Sequence, residues 1–419
     1  MSTHPLRALR HRNFRLFFSG QLISLIGTWM QQVAQSWLVY QLTHSAMLLG
    51  AVGFAGQIPS LILGPIGGHV ADRHDRRRVL VMTQSASMIL AFILAGLTLS
   101  GVIHEWHIFV LAALLGVVNA FDVPVRQAFL VQLVEREDLM NAIALNSSMF
   151  NGARIVGPAI AGILVAAIGE GWCFFANAVS YVAVIAGLLM MSIPRTTLQP
   201  MTTSAWANIA EGFRYVATTG PIRALLLLLG LISFAAMPYS VLMPVFADQI
   251  LHRGARGLGI LMGASGAGAL IGSVMLAMRS SVRGLGRWVA IASFAFGVSA
   301  VAFALSRSFV LSAIVLVPLG IAMMVEMASS NTLIQSMVRD DLRGRVMAVY
   351  TMMFVGFGPL GALIAGWAAE RIGAPITVAA GGVLTILGSI VFALRLPALR
   401  VEARALIISQ QAAAGEPAS

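Results

Sequence analysis

The sequence predicts an all-α membrane protein with twelve transmembrane helices in two pseudo-symmetric six-helix bundles and both termini in the cytoplasm. Three observations predict this class: an apolar composition, apolar segments of membrane-spanning length, and a motif that occurs once in each half of the chain. Hydrophobic residues make up 58% of the chain, charged residues only 10%, and the mean hydropathy is +0.87. A soluble protein carries about a quarter charged residues, so this chain must meet lipid.

Apolar segments of spanning length recur along the whole chain. A helix needs about 20 apolar residues to cross the hydrocarbon core of a bilayer. Twelve segments meet this requirement: 13–40, 47–70, 79–100, 107–132, 140–168, 172–193, 222–247, 257–279, 286–306, 308–335, 344–369 and 374–396. We number them as spans 1 to 12, and we expect spans 7 and 10 to be the most interrupted.

Two stretches of the chain look like copies of one another. Their residues are Asp138-Leu139, Gly157-Pro158 and Gly162 in the first half, and Asp341-Leu342 and Gly358-Pro359 in the second. Each copy follows an apolar helix with one internal carboxylate, Asp122 or Glu326. Repeats of this kind are typical of secondary transporters. The Gly-Pro pairs predict hinges in spans 5 and 11.

Arginine placement orients the chain. All 27 basic residues are arginine: 21 lie in one set of loops and terminal segments, 4 lie in the alternate loops, and Arg126 and Arg154 lie within spans. Basic residues concentrate on the cytoplasmic side of membrane proteins, so both termini are predicted to be cytoplasmic. The net charge of +11 then indicates attraction to anionic membrane lipids, with no nucleic-acid role.

The chain divides into four segments. They are a first six-helix bundle (1–193), a cytoplasmic linker (194–221), a second bundle (222–396) and a cytoplasmic tail (397–419). The linker contains an amphipathic pattern typical of a helix on a membrane surface. Its apolar side is Trp206, Ile209, Phe213 and Val216, with Glu211 and Arg214 opposite. We interpret this helix as structural in preference to regulatory, and we expect the alanine- and glutamine-rich tail to be frayed.

The sequence offers no basis for enzyme or cofactor chemistry. Cys173 is the single cysteine, so no internal disulfide forms, and no Cys/His metal spacing occurs. No arrangement of nucleophile and base stands at membrane depth. We therefore expect no enzyme, no cofactor and no metal site. The first apolar run is too long for a signal-peptide core, so we take it as a retained helix.

The most specific short motif lies between spans 2 and 3. It reads Gly68-His69-Val70-Ala71-Asp72-Arg73-His74-Asp75-Arg76-Arg77-Arg78. This stretch resembles the loop 2–3 signature of the major facilitator superfamily: Gly, three residues, Asp-Arg, one residue, Gly-Arg-Arg. Asp75 replaces the second glycine, a mild departure because aspartate tolerates a left-handed backbone. The resemblance implies a conformational latch formed by Gly68, Asp72, Arg73, Arg76 and Arg77; plain cytoplasmic charge is the alternative.

The resemblance extends along the chain to the enterobactin-exporter and macrolide-efflux branch of this superfamily. It is carried by Phe14-Arg15-Leu16-Phe17 and Gly27-Thr28-Trp29-Met30-Gln31 in span 1, Asn119-Ala120-Phe121-Asp122 in span 4, and Asn141-Ala142-Ile143-Ala144-Leu145-Asn146-Ser147 in span 5. The branch implies a drug:proton antiporter that exports an amphipathic organic compound, such as a drug or siderophore, by alternating access. Import of a small metabolite is the alternative, and a non-transporting receptor is less favoured.

Two acids are predicted at membrane depth, where an unpaired charge costs at least about 2.5–3.5 kcal/mol. Asp122 lies four residues before Arg126, on the same helix face, so the two can neutralise each other. Arg154 is a second candidate partner for Asp122. Glu326 has no arginine within a turn of its helix, so burial favours its neutral form. That makes Glu326 the first candidate for proton coupling and Asp122 the second.

Each of these assignments has a structural alternative. Asp122 either couples protons or forms a structural ion pair. Glu326 either carries protons or holds its helix to a neighbour through hydrogen bonds. Arg154 either serves an anion or packs against Asp122. The sequence leaves these alternatives open.

Span 1 carries a line of polar residues on one helix face. They are Gln21, Ser24, Thr28, Gln31 and Gln35, at steps of 3, 4, 3 and 4. A polar face at this depth must meet a water-filled cavity or a neighbouring helix. We predict a substrate cavity, extended by Asn331 of span 10. Amide-rich and apolar walls suit an amphipathic organic molecule.

Together these features predict a multi-pass protein of the bacterial inner membrane. Its expected partners are a small-molecule substrate, protons and membrane lipids, and we expect it to work as a monomer.

Overall fold

Fifteen α-helices form the regular structure of the computed structural model, which describes residues 6–192, 205–279 and 284–414. In chain order they are α1 (Arg12–Thr43), α2 (Ala46–Arg73), α3 (Arg76–Leu99), α4 (Glu105–Leu130), α5 (Leu139–Ile168), α6 (Glu170–Met190), α7 (Ala205–Thr218), α8 (Gly220–Ala235), α9 (Met243–Val245), α10 (Gly254–Ala277), α11 (Leu285–Leu305), α12 (Phe309–Met337), α13 (Asp340–Thr351), α14 (Phe357–Ile372) and α15 (Ala374–Ala414). The chain forms two compact units: Met1–Thr202 with Met243–Gly263, and Thr203–Leu242 with Ala264–Ser419.

Eleven helical segments in the described part of the chain are long and apolar enough to cross a membrane. They coincide with predicted spans 2 to 12. Helix α1 is 32 residues long but is not among the eleven, because its polar line lowers its hydropathy. A multi-pass membrane protein is therefore confirmed, while the count of twelve spans and the orientation of the termini stay predictions.

The predicted interruption of span 7 is present. Helix α8 ends at Ala235, and a 3-10 turn (Met237–Ser240), α9 and a π-helical turn (Phe246–Ile250) follow it. Pro238 and Pro244 in this stretch lack the N–H that a regular helix uses. The expectation for span 10 is wrong, because α12 is continuous through Pro318. Span 11 is interrupted instead, by a π-helical turn at Met352–Gly356.

The end of the chain is more regular than predicted. Helix α15 continues through Pro397 to Ala414, so the expected fraying of the tail is wrong over the described residues. Residues 398–414 contain no glycine or proline and are mostly strong helix formers, which explains the extension.

The predicted amphipathic helix of the linker is present as α7. Residues 193–204 and the side chains of 205–209 lie outside the described part, so the placement of Trp206 and Ile209 is not described. Within the second unit, Val216 is buried, and Glu211 pairs with Arg345 of α13 at 2.8 Å. Helix α7 is thus tied to α13 by an ion pair.

Glycines mark close helix contacts in both units. In α5, a Cβ at Gly157 would lie 2.5 Å from Trp29 Cβ and 2.8 Å from the Ile26 carbonyl oxygen of α1. A Cβ at Gly162 would lie 3.0 Å from the Gly259 Cα. Pro158 beside them is buried. These residues allow α5 to pack directly on its neighbours.

The matching residues of α14 behave differently. A Cβ at Gly358 would meet nothing nearer than Ser233 Oγ at 4.0 Å, whereas one at Gly361 would collide with the Phe234 carbonyl group of α8. Pro359 is buried. The close-contact glycine of α14 is therefore Gly361, and a hinge at Gly358 stays a prediction.

This difference gives a stability prediction. Gly157→Ala and Gly361→Ala should each destabilise the protein by about 1–3 kcal/mol, since the added methyl group enters a packed contact. Gly152→Ala in α5, where a Cβ would meet nothing within 4 Å, is the matched control and should be neutral or stabilising. The measurement is thermal unfolding of the purified protein, monitored by a thiol-reactive dye at the buried Cys173. Equal thermal unfolding midpoints for the three variants would contradict the close helix contacts at Gly157 and Gly361.

Candidate functional site

Asp122 lies at the centre of a buried hydrogen-bond network in the first unit. It is only 3% exposed. Its Oδ1 accepts hydrogen bonds from Thr83 Oγ1 (2.8 Å) and Gln84 Nε2 (2.7 Å) of α3. Its Oδ2 lies 3.3 Å from Arg126 Nη2, one turn further along α4. The predicted pairing of Asp122 with Arg126 is present, and the carboxylate is stabilised by three polar neighbours.

The same network reaches the polar line of α1. Arg126 Nη1 donates a hydrogen bond to Gln21 Oε1 at 3.1 Å. Gln21 is buried, so an unpaired amide there would be costly. The Arg126 guanidinium therefore joins a carboxylate of its own helix to an amide of α1. Helices α1, α3 and α4 are tied together by these contacts.

A second polar contact joins α1 to α6. Asn177 Nδ2 donates to Gln31 Oε1 at 2.7 Å, and Ser180 Oγ donates to Asn177 Oδ1 at 3.1 Å. A Cβ at Gly27 would lie 2.5 Å from Asn177 Oδ1, so only glycine leaves room for this amide. Polar side chains of this kind hold transmembrane helices together through hydrogen bonds.

The polar line of α1 is therefore divided between packing and exposure. Gln21, Ser24 and Gln31 are buried, Gln35 is half-buried and Thr28 is exposed. Two of the buried members bond to neighbouring helices, which was the alternative to cavity lining. Lining of a substrate cavity by these residues stays a prediction.

Sequence analysis missed Thr83, Gln84 and Asn177. Each is a polar residue inside an apolar span, and Asn177, Ser180 and Tyr181 follow a spacing of 3 and 4 that places them on one helix face. A search for polar residues at helical spacing in every span, and not only in span 1, would have found them.

Arg154 belongs to an aromatic cluster in the first unit. Its Cζ lies over the Trp29 ring of α1, 5.7 Å from the ring centroid. Trp29 in turn meets Phe150 edge-to-face, with ring centroids 5.7 Å apart. Cation–π contacts of this kind contribute about 0.5–2 kcal/mol. The structure thus places Arg154 on an indole ring, while the ion pair of Asp122 is formed by Arg126.

Glu326 lies in the middle of α12 and is only 2% exposed. Its Oε1 accepts a hydrogen bond from Ser330 Oγ at 3.1 Å, one turn further along the helix. Tyr350 of α13 is a close neighbour, and its hydroxyl donates to the Met327 carbonyl oxygen at 3.0 Å. Asn331 lies on the same helix and accepts a hydrogen bond from Gln335. No ion pair is formed by Glu326 within the described ranges.

Two arginines of the predicted latch satisfy helix ends. Arg76 donates to the carbonyl oxygens of Ala71 (3.0 Å) and Ala128 (3.3 Å). Arg77 donates to those of Leu188 and Leu189, both at 2.6 Å. The last carbonyls of a helix have no partner within that helix and attract positive charge. These side chains therefore bind the ends of α2, α4 and α6 to the start of α3.

The remaining latch residues lie at the end of α2. Asp72 is half-buried and Arg73 is exposed. A Cβ at Gly68 would meet nothing within 4 Å, so no close helix contact requires this glycine. Asp75 has an extended backbone (φ −60°, ψ 107°), and its carboxylate accepts from the Arg78 N–H at the start of α3. Asp75 therefore does not adopt the left-handed backbone that a glycine at this position of the family signature would allow. The latch itself stays a prediction.

The repeated Asp138 has a role that the sequence did not reveal. Its carboxylate pairs with Arg7, and its Oδ2 lies 2.7 Å from His11 Nε2. The Ala8 N–H also donates to Asn141 Oδ1 at 2.8 Å. The N-terminal segment is thereby fastened to the start of α5.

These helices define a class: a polytopic membrane protein. The model of the family described as transmembrane secretion effector matches residues 3–416. The chain belongs to this family of the major facilitator superfamily, as the resemblance had implied. The family consists of transporters, not enzymes.

Relatives from bacteria match nearly the whole chain. The staphyloferrin A transporter of Staphylococcus aureus is 28% identical, over 90% of this chain and 95% of its own. The enterobactin exporter of Shigella boydii is 26% identical, over 96% and 94%. The macrolide efflux protein A of Streptococcus pyogenes is 23% identical, over 87% and 92%. The expected branch is confirmed, and the chain is a transporter of a small molecule.

A solved transporter structure shares the all-helical architecture of this chain. A POT family transporter in complex with 5-aminolevulinic acid superposes with a TM-score of 0.76 at 11% sequence identity, over 93% of this chain and 96% of the other. At this identity the comparison supports the architecture alone.

Proposed function

We propose that this protein is a proton-coupled exporter of an amphipathic organic compound in the bacterial inner membrane. It works by alternating access, as a monomer among membrane lipids, with twelve spans and both termini in the cytoplasm. The observation that carries the coupling is Glu326, a carboxyl group buried in α12 that accepts a hydrogen bond from Ser330 Oγ and has Tyr350 as a neighbour. The cargo class and the export direction rest on relatives named for siderophore and macrolide transport.

Glu326 suits proton transfer better than Asp122. Within the described ranges Glu326 is buried beside the hydroxyl groups of Ser330 and Tyr350 and forms no ion pair. Burial without a counter-charge favours a neutral carboxyl group until water reaches it. Asp122 accepts two hydrogen bonds and pairs with Arg126, so three side chains hold it in place. Glu326 is therefore the first proton site and Asp122 the second.

Direction and coupling are tested together in membrane vesicles. An exporter that exchanges cargo for protons should accumulate cargo in everted vesicles when their lumen is acidified. The accumulation should stop when a protonophore collapses the gradient. The test cargo comes from a growth screen of a deletion strain against drugs and siderophores. Gradient-dependent accumulation in right-side-out vesicles would instead establish import.

The latch gives a separate kinetic prediction. Asp72→Asn should slow turnover without changing cargo affinity, because the half-buried Asp72 is proposed to hold one conformation and not to touch cargo. Transport rates and binding affinity measured on the same preparation check this. A selective loss of affinity would place Asp72 in the binding site.

A further inference from the structure

We propose that Tyr350 is a positioning residue for Glu326, and that its hydroxyl moves from a backbone carbonyl of α12 to the Glu326 carboxylate when that group releases its proton. This step rests on the proposed proton coupling and adds the contact by which a change of charge in α12 reaches span 11. It is carried by contacts within the second unit: the bond from Tyr350 to α12, and the place of Tyr350 at the end of α13.

The Tyr350 hydroxyl lies close to two acceptors of α12. It donates to the Met327 carbonyl oxygen at 3.0 Å, and Met327 directly follows Glu326 in the chain. The Glu326 carboxyl group and the Asn331 amide are further neighbours of the same hydroxyl. Tyr350 is 7% exposed and Glu326 is 2% exposed, so little water competes for either group. One buried hydroxyl thus has a carbonyl and a carboxyl group beside it.

The charge of Glu326 decides between these two acceptors. A hydroxyl group has one proton to donate, and in the structure Tyr350 gives it to the Met327 carbonyl oxygen. A bond to an ionised carboxylate is roughly twice as strong as a bond between neutral groups. Release of the Glu326 proton to water therefore draws the Tyr350 hydroxyl to the carboxylate. The hydroxyl proton stays on the tyrosine oxygen throughout.

The charged residues of the helices packed on α12 stand apart from this contact in the sequence. The part of α10 in the second unit, 264–277, contains no charged residue. The other helices carry theirs at Arg223 of α8, Arg287 of α11, 340–345 of α13 and 395–404 of α15. Within the described ranges Glu326 forms no ion pair. The side chains that face its carboxyl group are Ser330, which donates to it, and Tyr350.

Tyr350 stands where its movement acts on the rest of span 11. It is the penultimate residue of α13 (Asp340–Thr351), and the π-helical turn Met352–Gly356 follows directly. Turns of this kind are frequent at functional sites and are among the few causes of sharp helix bends. Ser233 of α8 donates to the Phe354 carbonyl oxygen inside the turn at 2.7 Å. Span 11 therefore consists of two helices joined by a turn that can bend.

The two helices of span 11 are held by different neighbours. On α13, the Arg345 carbonyl oxygen would lie 2.6 Å from a Cβ at Gly212 of α7. On α14, a Cβ at Gly361 would collide with the Phe234 carbonyl group of α8. Transfer of the Tyr350 hydroxyl from a fixed carbonyl to a movable carboxylate loosens the end of α13 from α12. Helix α13 can then move with α7 while α14 stays on α8.

Infrared difference spectroscopy tests this contact on the purified full-length protein. Spectra are compared across the pH range in which the Glu326 carboxyl band disappears, below the pH of about 10 at which tyrosines ionise. Ring-deuterated tyrosine identifies the bands of the five tyrosines in the chain. One tyrosine band should shift together with the Glu326 band. The shift should be lost in Tyr350→Phe and also in Glu326→Gln, because it requires both groups.

Two features guard against a trivial result. Tyr350→Phe keeps the buried ring, and the Met327 carbonyl oxygen retains its place in the continuous helix α12, so the variant should fold. Glu326→Gln tests the same contact without any change at Tyr350. Tyr215→Phe is the control, since Tyr215 is half-buried in α7 and its loss should leave the shift intact. A tyrosine shift that persists in Tyr350→Phe or in Glu326→Gln overturns the inference, as does a Glu326 band that disappears with no tyrosine shift.

Transport separates this contact from the proposed function. Tyr350→Phe should slow gradient-driven accumulation of the cargo found in the growth screen at least about tenfold, because a hydrogen bond to a charged group is lost. Wild-type accumulation by Tyr350→Phe would overturn the role of Tyr350 and leave proton coupling at Glu326 in place. A tyrosine shift that depends on both residues, in a protein that accumulates no cargo in everted vesicles, would uphold the contact and overturn export.

Discussion

Glu326→Gln is expected to reduce proton-driven transport to the level of vesicles that lack the protein, while cargo binding persists. Glutamine has nearly the same volume as glutamic acid and can still accept the hydrogen bond from Ser330 Oγ, which now spans 3.1 Å to the carboxylate. It cannot release a proton. The packing of α12 should therefore survive, and only the coupled step should be lost.

Two assays separate these effects. Accumulation driven by a proton gradient measures coupling, whereas exchange of labelled internal cargo for unlabelled external cargo needs no net proton movement. Glu326→Gln should fail the first assay and retain the second. Glu370→Gln removes the same group from an exposed position near the end of α14, and it should transport normally in both.

The contrary result is also informative. Full-rate accumulation by Glu326→Gln would move the proton site to the second candidate, and Asp122→Asn would then be measured in the same vesicles. If both variants accumulate cargo at the wild-type rate, neither acid couples protons, and the proposed mechanism is wrong.

Hydropathy predicted the helices well because lipid imposes a strict length requirement. A spanning segment must satisfy its own backbone and bury about 20 apolar residues, and this leaves a strong signal in spans 2 to 12. Helix α1 shows the limit of that signal. Its polar face contacts other helices, as Gln31 contacts Asn177. These polar residues lower the mean hydropathy by which spans are recognised.

Contacts within one helix were predictable, and contacts between helices were not. The pair Asp122 and Arg126 follows from a spacing of four residues. The partners Thr83 and Gln84 lie about 40 positions earlier in the chain, and their approach depends on how α3 is rotated against α4. The spacing of residues within one helix does not determine how that helix is rotated against its neighbour. The bonds of Arg76 and Arg77 to the ends of α2, α4 and α6 depend on helix packing in the same way, so the loop motif does not predict them.

The ion pair at the centre of the first unit should dominate its stability. Asp122→Ala is expected to destabilise the protein by about 3–5 kcal/mol, since breaking a buried pair leaves an uncompensated charge. The change also deprives Thr83 and Gln84 of their acceptor. Arg126 keeps its bond to Gln21, but in lipid that amide cannot neutralise a cation.

A double-mutant cycle distinguishes the pair from its surroundings. Asp122→Asn with Arg126→Gln removes both charges, and the double variant should be more stable than the sum of the single changes predicts, by about 0.5–3 kcal/mol. Arg78→Gln is the control, because its pairing with Asp75 is exposed and long, at 3.9 Å, and such pairs contribute about 0–1 kcal/mol. Unfolding is followed through dye access to Cys173, the single cysteine, which is buried in α6.

The cycle also decides between the two roles of Asp122. If the charges are coupled in stability and the folded double variant still accumulates cargo, the pair is structural and proton transfer belongs to Glu326 alone. If the single and double changes are additive and accumulation is lost with Asp122→Asn, the carboxylate acts in coupling. The contacts of Asp122 with two helices favour the first outcome, because they fix the ionised group in one place, whereas a proton carrier must alternate between two charge states.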